Sequence, residues 1–282
     1  MRHLTVLSVL TLSLAFQAPA FQAAAQPTPQ KPKFTRKSQG AASQQPKATG
    51  ATAIVNSASF LSGISPGGLS TIFGYNLSDV SGVVVASSNP LPTELAHVSV
   101  LINGIYAPIF SVAYNGTQDQ ISVQVPYSTT TGPSAAYVQV YDYGQLVAST
   151  TTDSYDEDPG IFTYQGNYAV ATLYPSFALI GPGFPAYPND IIILYTTGLG
   201  PLNRNLSDGY GAPSDPLAYT VDPFDVYAAG QKCKVFFSGL TPGLVGLYQL
   251  NIQLPSSLPS GNIDLKIISP YADSNVATLP IH

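Results

Sequence analysis

The stretch Gln120-Ile121-Ser122-Val123-Gln124-Val125-Pro126 returns, in degenerate form, as Gln249-Leu250-Asn251-Ile252-Gln253-Leu254-Pro255. Six residues after each proline stands a glycine, Gly132 and Gly261, so the offset holds at 129. Upstream, residues 104–111 are echoed by residues 230–237 at an offset of 126, which leaves three extra residues in the second copy within 238–247. Further upstream, residues 66–74 resemble residues 188–195, each reading as a turn followed by an apolar strand. Each block alternates like a half-buried strand and stops at a proline, which has no N–H to give to a ladder. The glycine then permits the turn into the next strand.

These blocks imply a strand-rich unit that occurs twice. Asn103-Gly104, set between residues 98–102 and 105–110, is a two-residue hairpin signal. No long segment keeps apolar residues at i, i+3, i+4 and i+7, so little helix is expected. Several strands per copy, at spacings of about 8–12 residues, predict an all-β chain of two tandem immunoglobulin-like β-sandwich domains. We place them at 53–158 and 159–282, with the boundary near Asp158-Pro159.

The N-terminus carries an address. Met1-Arg2-His3 is a short basic start, and Leu4 to Phe16 is apolar apart from Thr and Ser. That core is too short for a span, which takes about 20 apolar residues. Small-x-small sites follow at Ala18-Pro19-Ala20 and Ala23-Ala24-Ala25. Residues 1–25 therefore read as a secretory signal peptide cut after Ala25 or Ala20. The product is expected to be secreted, extracellular or at the cell surface, with no transmembrane segment after cleavage. Residues 26–52 are rich in Gln, Pro, Lys, Ser, Ala and Gly, and predict a disordered basic linker.

Charge narrows the partners. Residues 51–282 hold four cations, Arg204, Lys232, Lys234 and Lys266, against all 15 acids, a net of −11. Nucleic-acid binding relies on clustered Lys and Arg, so a nucleic-acid partner is excluded. The segment 26–50 carries five cations and no acid. It reads as a solvated linker, with contact to an anionic surface as the alternative. Cys233 is the single cysteine, so no intrachain disulfide forms and each sandwich must rest on its core. The alternation of residues 232–237 makes Cys233 a buried structural thiol rather than a reactive one.

Catalytic chemistry finds little support. Gly63-Ile64-Ser65-Pro66-Gly67 matches the G-x-S-x-G nucleophile pattern. In that elbow the residue after Ser donates its N–H to the oxyanion and opens a helix, whereas here it is Pro66 and a strand follows. Beyond the leader the chain has only His97 and His282. A turn is the preferred reading, and a hydrolase the remote one. The core has two Glu, Glu94 and Glu157, and nothing singles out a carboxylate pair for glycoside hydrolysis. One Cys and two distant His exclude a Cys/His metal site. Calcium would suit the run Asp153, Asp156, Glu157 and Asp158 better, with Asp153, Asp156 and Asp158 as ligands. A solvated hinge between the domains is the preferred reading of that run. Asp222 and Asp225, flanking Pro223-Phe224, are a weaker calcium candidate. No cofactor is expected otherwise.

Loop tyrosines are the better binding candidates. Tyr187, Tyr210 and Tyr219 lie in Pro/Gly/Asp-rich stretches and would offer flat amphipathic surfaces to a sugar or a protein. Gln120 and Gln249 recur in both copies, which points to a structural role such as tying a loop to backbone groups.

The ordered motifs also carry a resemblance. Residues 54–60, the Ser65-Pro66-Gly67 turn, Ile72-Phe73-Gly74-Tyr75-Asn76-Leu77, Val125-Pro126-Tyr127, Pro159-Gly160-Ile161-Phe162, Thr197-Gly198-Leu199-Gly200-Pro201 and residues 239–249 recur together. They resemble the uncharacterised Solibacter-type C-terminal domain of secreted acidobacterial proteins, over roughly residues 53–282. The resemblance implies a pair of IPT/TIG-type immunoglobulin-like folds and brings no established activity. Two departures stand out. Only a short linker precedes the module, and the acidic run 153–158 replaces small apolar residues. The expected function is a non-enzymatic structural or adhesion-type module whose partner is an extracellular protein or polysaccharide. The alternative is a carbohydrate-binding module using the loop tyrosines.

Overall fold

The computed structural model describes residues 50–269 and 271–282, so the expected signal peptide and most of the expected linker lie outside the described residues. No helix occurs among the described residues, whose regular structure is strands alone.

The first ten strands are β1 (Ala51–Asn56), β2 (Leu69–Gly74), β3 (Val83–Val85), β4 (Glu94–Leu95), β5 (Val98–Ile102), β6 (Ile105–Tyr106), β7 (Ile109–Tyr114), β8 (Asp119–Gln124), β9 (Gly132–Asp142) and β10 (Gln145–Ser154). They form one sheet in the order β1-β2-β8-β7-β3 and another in the order β10-β9-β5-β4, with β6 paired to β5. Strand β1 begins at Ala51, two residues before the expected start of the first sandwich at 53.

Twelve strands follow: β11 (Gly160–Ile161), β12 (Thr163–Tyr164), β13 (Tyr168–Ala169), β14 (Ala171–Leu173), β15 (Ala178–Leu179), β16 (Ile191–Thr197), β17 (Asp225–Ala228), β18 (Gln231–Lys232), β19 (Lys234–Leu240), β20 (Tyr248–Gln253), β21 (Gly261–Ile268) and β22 (Ala277–Ile281). They form a sheet β15-β14-β16-β20-β19, with β11 on β16, and a sheet β12-β13-β22-β21-β17-β18. The chain is thus two tandem immunoglobulin-like β-sandwiches.

The sequence echoes mark equivalent strands. β8 lies between β2 and β7, and β20 lies between β16 and β19. The pair β7–β8 is bulged between Ile109 and Ser111, and β19–β20 is bulged between Val235 and Phe237, each with a phenylalanine as the extra residue. Asn103-Gly104 and Ala229-Gly230 turn the equivalent hairpins with φ of 52° and 78°, and of 48° and 76°. Two consecutive positive φ values match the right-handed twist of the flanking strands.

Alternation fixes which face is buried. In β5, Val98, Val100 and Ile102 point inward, and in β9, Ala136, Val138 and Val140 do the same. They meet Ile72, Ile109, Val112, Ile121 and Val123 from the facing sheet. In the second sandwich Ile192, Leu194, Leu250 and Ile252 face Val226, Leu265, Ile267 and Leu279. Cys233 is a free thiol buried in this second core. A smaller cluster, Ile193, Tyr195 and Leu247, covers the other face of β16 and is sealed by Phe162, Val170, Phe177 and Leu244.

Candidate functional site

The acidic run 153–158 lies where the two sandwiches meet, and it is not a solvated hinge. Glu157 is 0% and Asp158 1% exposed. The reason is close approach by the second sandwich. Glu157 Oε2 accepts from Ser269 Oγ at 2.7 Å. The Asp158 amide donates to Gly198 O at 2.8 Å, and its carbonyl accepts from Asn56 Nδ2 at 2.6 Å. Gly198 and Gly200 have φ of 74° and 79°. A Cβ on Gly198 would lie 2.1 Å from the Asp158 carbonyl oxygen, and one on Gly200 would lie 2.7 Å from Glu157 Cγ. The Thr197-Gly198-Leu199-Gly200-Pro201 motif is therefore a backbone seat for the run.

Further bonds weld the junction. Thr197 Oγ1 accepts from the Leu69 amide at 2.8 Å and donates to Gly246 O at 2.9 Å. The segment after Pro201 reaches back over the first sandwich. The Gly209 amide donates to Gln124 Oε1 at 2.6 Å, and Asp208 Oδ1 accepts from the Tyr127 amide at 2.8 Å. The Leu91 amide donates to Gly209 O at 2.8 Å, and the Gly211 amide donates to Asn89 Oδ1 at 3.0 Å. Burial and then the Asp208 carboxylate push the Tyr127 phenol well above its usual range. Tyr248, fully buried, donates to Gly200 O at 2.8 Å, and burial raises it too.

The calcium candidates are not gathered into a ligand set. Asp153 Oδ1 accepts from the Ser134 amide at 2.8 Å and its Oδ2 from Tyr155 Oη at 3.1 Å. Asp156 Oδ1 accepts from Thr131 Oγ1 at 3.3 Å. Among the described residues no three His, Cys, Asp or Glu side chains are placed to hold a metal ion. Asp225 pairs instead with Lys232 at 2.7 Å.

Ser65 is 3% exposed and donates Oγ to the Asp156 carbonyl at 3.3 Å. The Gly68 amide closes a turn on Ser65 O at 3.0 Å. His97 stacks on Tyr143 with centroids 4.1 Å apart, and His282 stacks on Tyr187 at 4.7 Å, so each imidazole is occupied by another ring. Glu94 is exposed on the two-residue strand β4, whereas Glu157 is buried at the junction.

The three loop tyrosines are not brought together. Tyr187 is exposed beside the C-terminus, at the end of the second sandwich away from the junction. Tyr210 is exposed at the junction, next to Gly209 and Gly211. Tyr219 bridges to Gly239 and tilts onto Phe237 at 5.2 Å, so its ring is partly spent on packing. Within the repeated heptapeptide, the glutamines that tie loops to backbone are Gln124 and Gln253 rather than Gln120 and Gln249. Gln124 holds Gly209, and Gln253 Nε2 donates to Asn189 O at 3.3 Å. Gln249 Nε2 donates to its strand neighbour Asn251 at 3.0 Å. Both residues of the true pair stood in the repeated heptapeptide, four places along.

No family model matches the chain, and no curated protein matches it either. Solved structures similar at low identity include the following three. SGBP-B of the Bacteroides ovatus mixed-linkage glucan utilization locus, in complex with a mixed-linkage heptasaccharide, is 10% identical with a TM-score of 0.34, covering 78% of this chain and 42% of that one. The I9–I11 tandem from titin is 12% identical with a TM-score of 0.20, covering 82% and 65%. The Yersinia pseudotuberculosis adhesin InvE is 11% identical with a TM-score of 0.21, covering 83% and 60%. This chain spans less than two thirds of the length of each. Among the described residues no helix is long and apolar enough to cross a membrane.

Proposed function

We propose that this chain is a secreted, non-enzymatic interaction module of the Solibacter-type C-terminal kind, binding an extracellular polymer or protein through its surface. One observation carries the reading. The groups that chemistry would need are spent on structure: Glu157 and Asp208 bond across the junction, and Ser65 and Asp156 bond within the first sandwich. What the scaffold presents outward includes many rings among its polar and acidic side chains, with Tyr75, Tyr106, Tyr137, Tyr143, Tyr187 and Tyr210 exposed. Exposed tyrosines give rigid, amphipathic contact area at small entropic cost.

The test is retention against turnover. Fluorescently labelled chain, added to cells and matrix of the producing organism, should be retained saturably. It should hydrolyse chromogenic esters and glycosides no faster than its Ser65→Ala variant. Loss of retention, or turnover that vanishes with Ser65→Ala, would overturn the reading.

A further inference from the structure

The outer face of the first sandwich's β10-β9-β5 sheet carries an organised row pattern that the loop tyrosines do not share. Strand registers place Tyr106 opposite Leu101, and Leu101 opposite Gln139. Directly paired residues project to the same face. Two residues away along β9, on the same side as Gln139, stand Tyr137 and Tyr141, while Val138 and Val140 face the core. Tyr141 lies opposite Ser99 on β5. Tyr106 is 55% and Tyr137 44% exposed.

With strands about 4.8 Å apart and a rise of about 3.3 Å per residue, Tyr106 lies about 12 Å from each β9 tyrosine and those two lie about 13 Å apart. Three rings thus spread over one flat face at spacings longer than a single sugar ring.

The platform is held in shape. Asn103 Oδ1 accepts from the Tyr137 amide at 2.8 Å, and its Nδ2 donates to Ala135 O at 2.9 Å. This clamps the hairpin that bears Tyr106 onto β9. Gln139 Nε2 donates to Tyr141 Oη at 3.0 Å and fixes that ring. Groups fixed before binding lose less freedom on contact, so a flat ligand gains the full stacking benefit.

Charge selects the occupant. Residues 51–158 contain no Lys or Arg and eight acids. An anionic polymer would be repelled, and no cation is present to meet a sulfate or uronate. Between the rings lie Ser99, Leu101 and Gln139, a hydroxyl, an apolar chain and an amide without charge. A protein partner is anchored by side chains that fill pockets, which a flat sheet face lacks. The negative face of each tyrosine ring suits the polarised C–H bonds of a sugar, while hydroxyls and Gln139 suit its O–H groups. We infer that Tyr106, Tyr137 and Tyr141 form a binding platform for an extended neutral polysaccharide. This rests on the reading of the chain as a binding module.

Affinity electrophoresis tests it, with soluble β-glucan and galactomannan in the gel and polygalacturonate as the anionic control. Retardation is expected in a neutral gel and absent with polygalacturonate. Tyr106→Ala, Tyr137→Ala and Tyr141→Ala should each weaken binding by about 2- to 12-fold. Tyr187→Ala and Tyr210→Ala should not, and the unfolding midpoint of each variant should stay near wild type. Retardation by neither neutral polymer would overturn the platform, as would binding that survives the triple variant. The latter would leave a binding module acting elsewhere, whereas loss of matrix retention would remove the broader reading as well. A dimer that Tyr137→Ala dissolves on a sizing column would make the face a contact between copies and also end the glycan proposal.

Discussion

At the residue scale, burial decides what each reactive group can do. Cys233 lies in the second core, and burial pushes its thiol up to about 12 from an ordinary 9.0. Native protein at pH 8 is expected to resist iodoacetamide, with modification following only on unfolding; rapid native labelling would contradict its placement. Tyr127, Tyr195 and Tyr248 are likewise raised, chiefly by burial. All four groups hold their proton longer when folded. Their contribution is complete below the unfolded values of 9.0 and 10.0 and is lost as pH rises beyond them. The unfolding midpoint is predicted to fall from about pH 9 upward, and a midpoint that rose there would refute the sign. The burial of Cys233 was legible in the alternation of residues 232–237. That of Glu157 was not, because its partner Ser269 lies 112 residues away. Gly198→Ala should cost more than about 1 kcal/mol, since its φ is positive and the Asp158 carbonyl fills the Cβ position. Denaturant titration measures that cost, and an unchanged midpoint would deny the close packing.

At the element scale, period and punctuation were the readable part. Proline-ended alternations became β8 and β20, and Asn103-Gly104 became the expected hairpin. The repeated offsets aligned strands whose sheet positions are equivalent. The segment carrying Asp208, Gly209 and Gly211 was unreadable for a physical reason. Its order comes from bonds to residues 81 to 122 positions away, not from its own pattern. The outer rows of β5 and β9 were overlooked because alternation says which residues leave the core but not which strands sit side by side. Asp208→Ala leaves the Tyr127 amide without its acceptor and is expected to cost about 1–3 kcal/mol. Chemical denaturation should show that loss, and a wild-type midpoint would mean the reach-back segment does not brace the junction.

At the scale of the molecule, the junction sets the character of the chain. Separate domains joined by an open hinge would melt independently, as multidomain proteins commonly do. Here Gln124, Glu157 and Thr197 each carry a hydrogen bond across the junction while almost wholly buried, so each sandwich contributes to the other's packing. Ile121 and Leu250 lie in different cores, and truncation of either to Ala should cost about 2–5 kcal/mol. The central claim is that both costs are felt by one cooperative unit. Differential scanning calorimetry of residues 51–282 tests it most directly. The account predicts a single transition that both Ile121→Ala and Leu250→Ala lower. Two separable transitions, each answering to only one substitution, would contradict it.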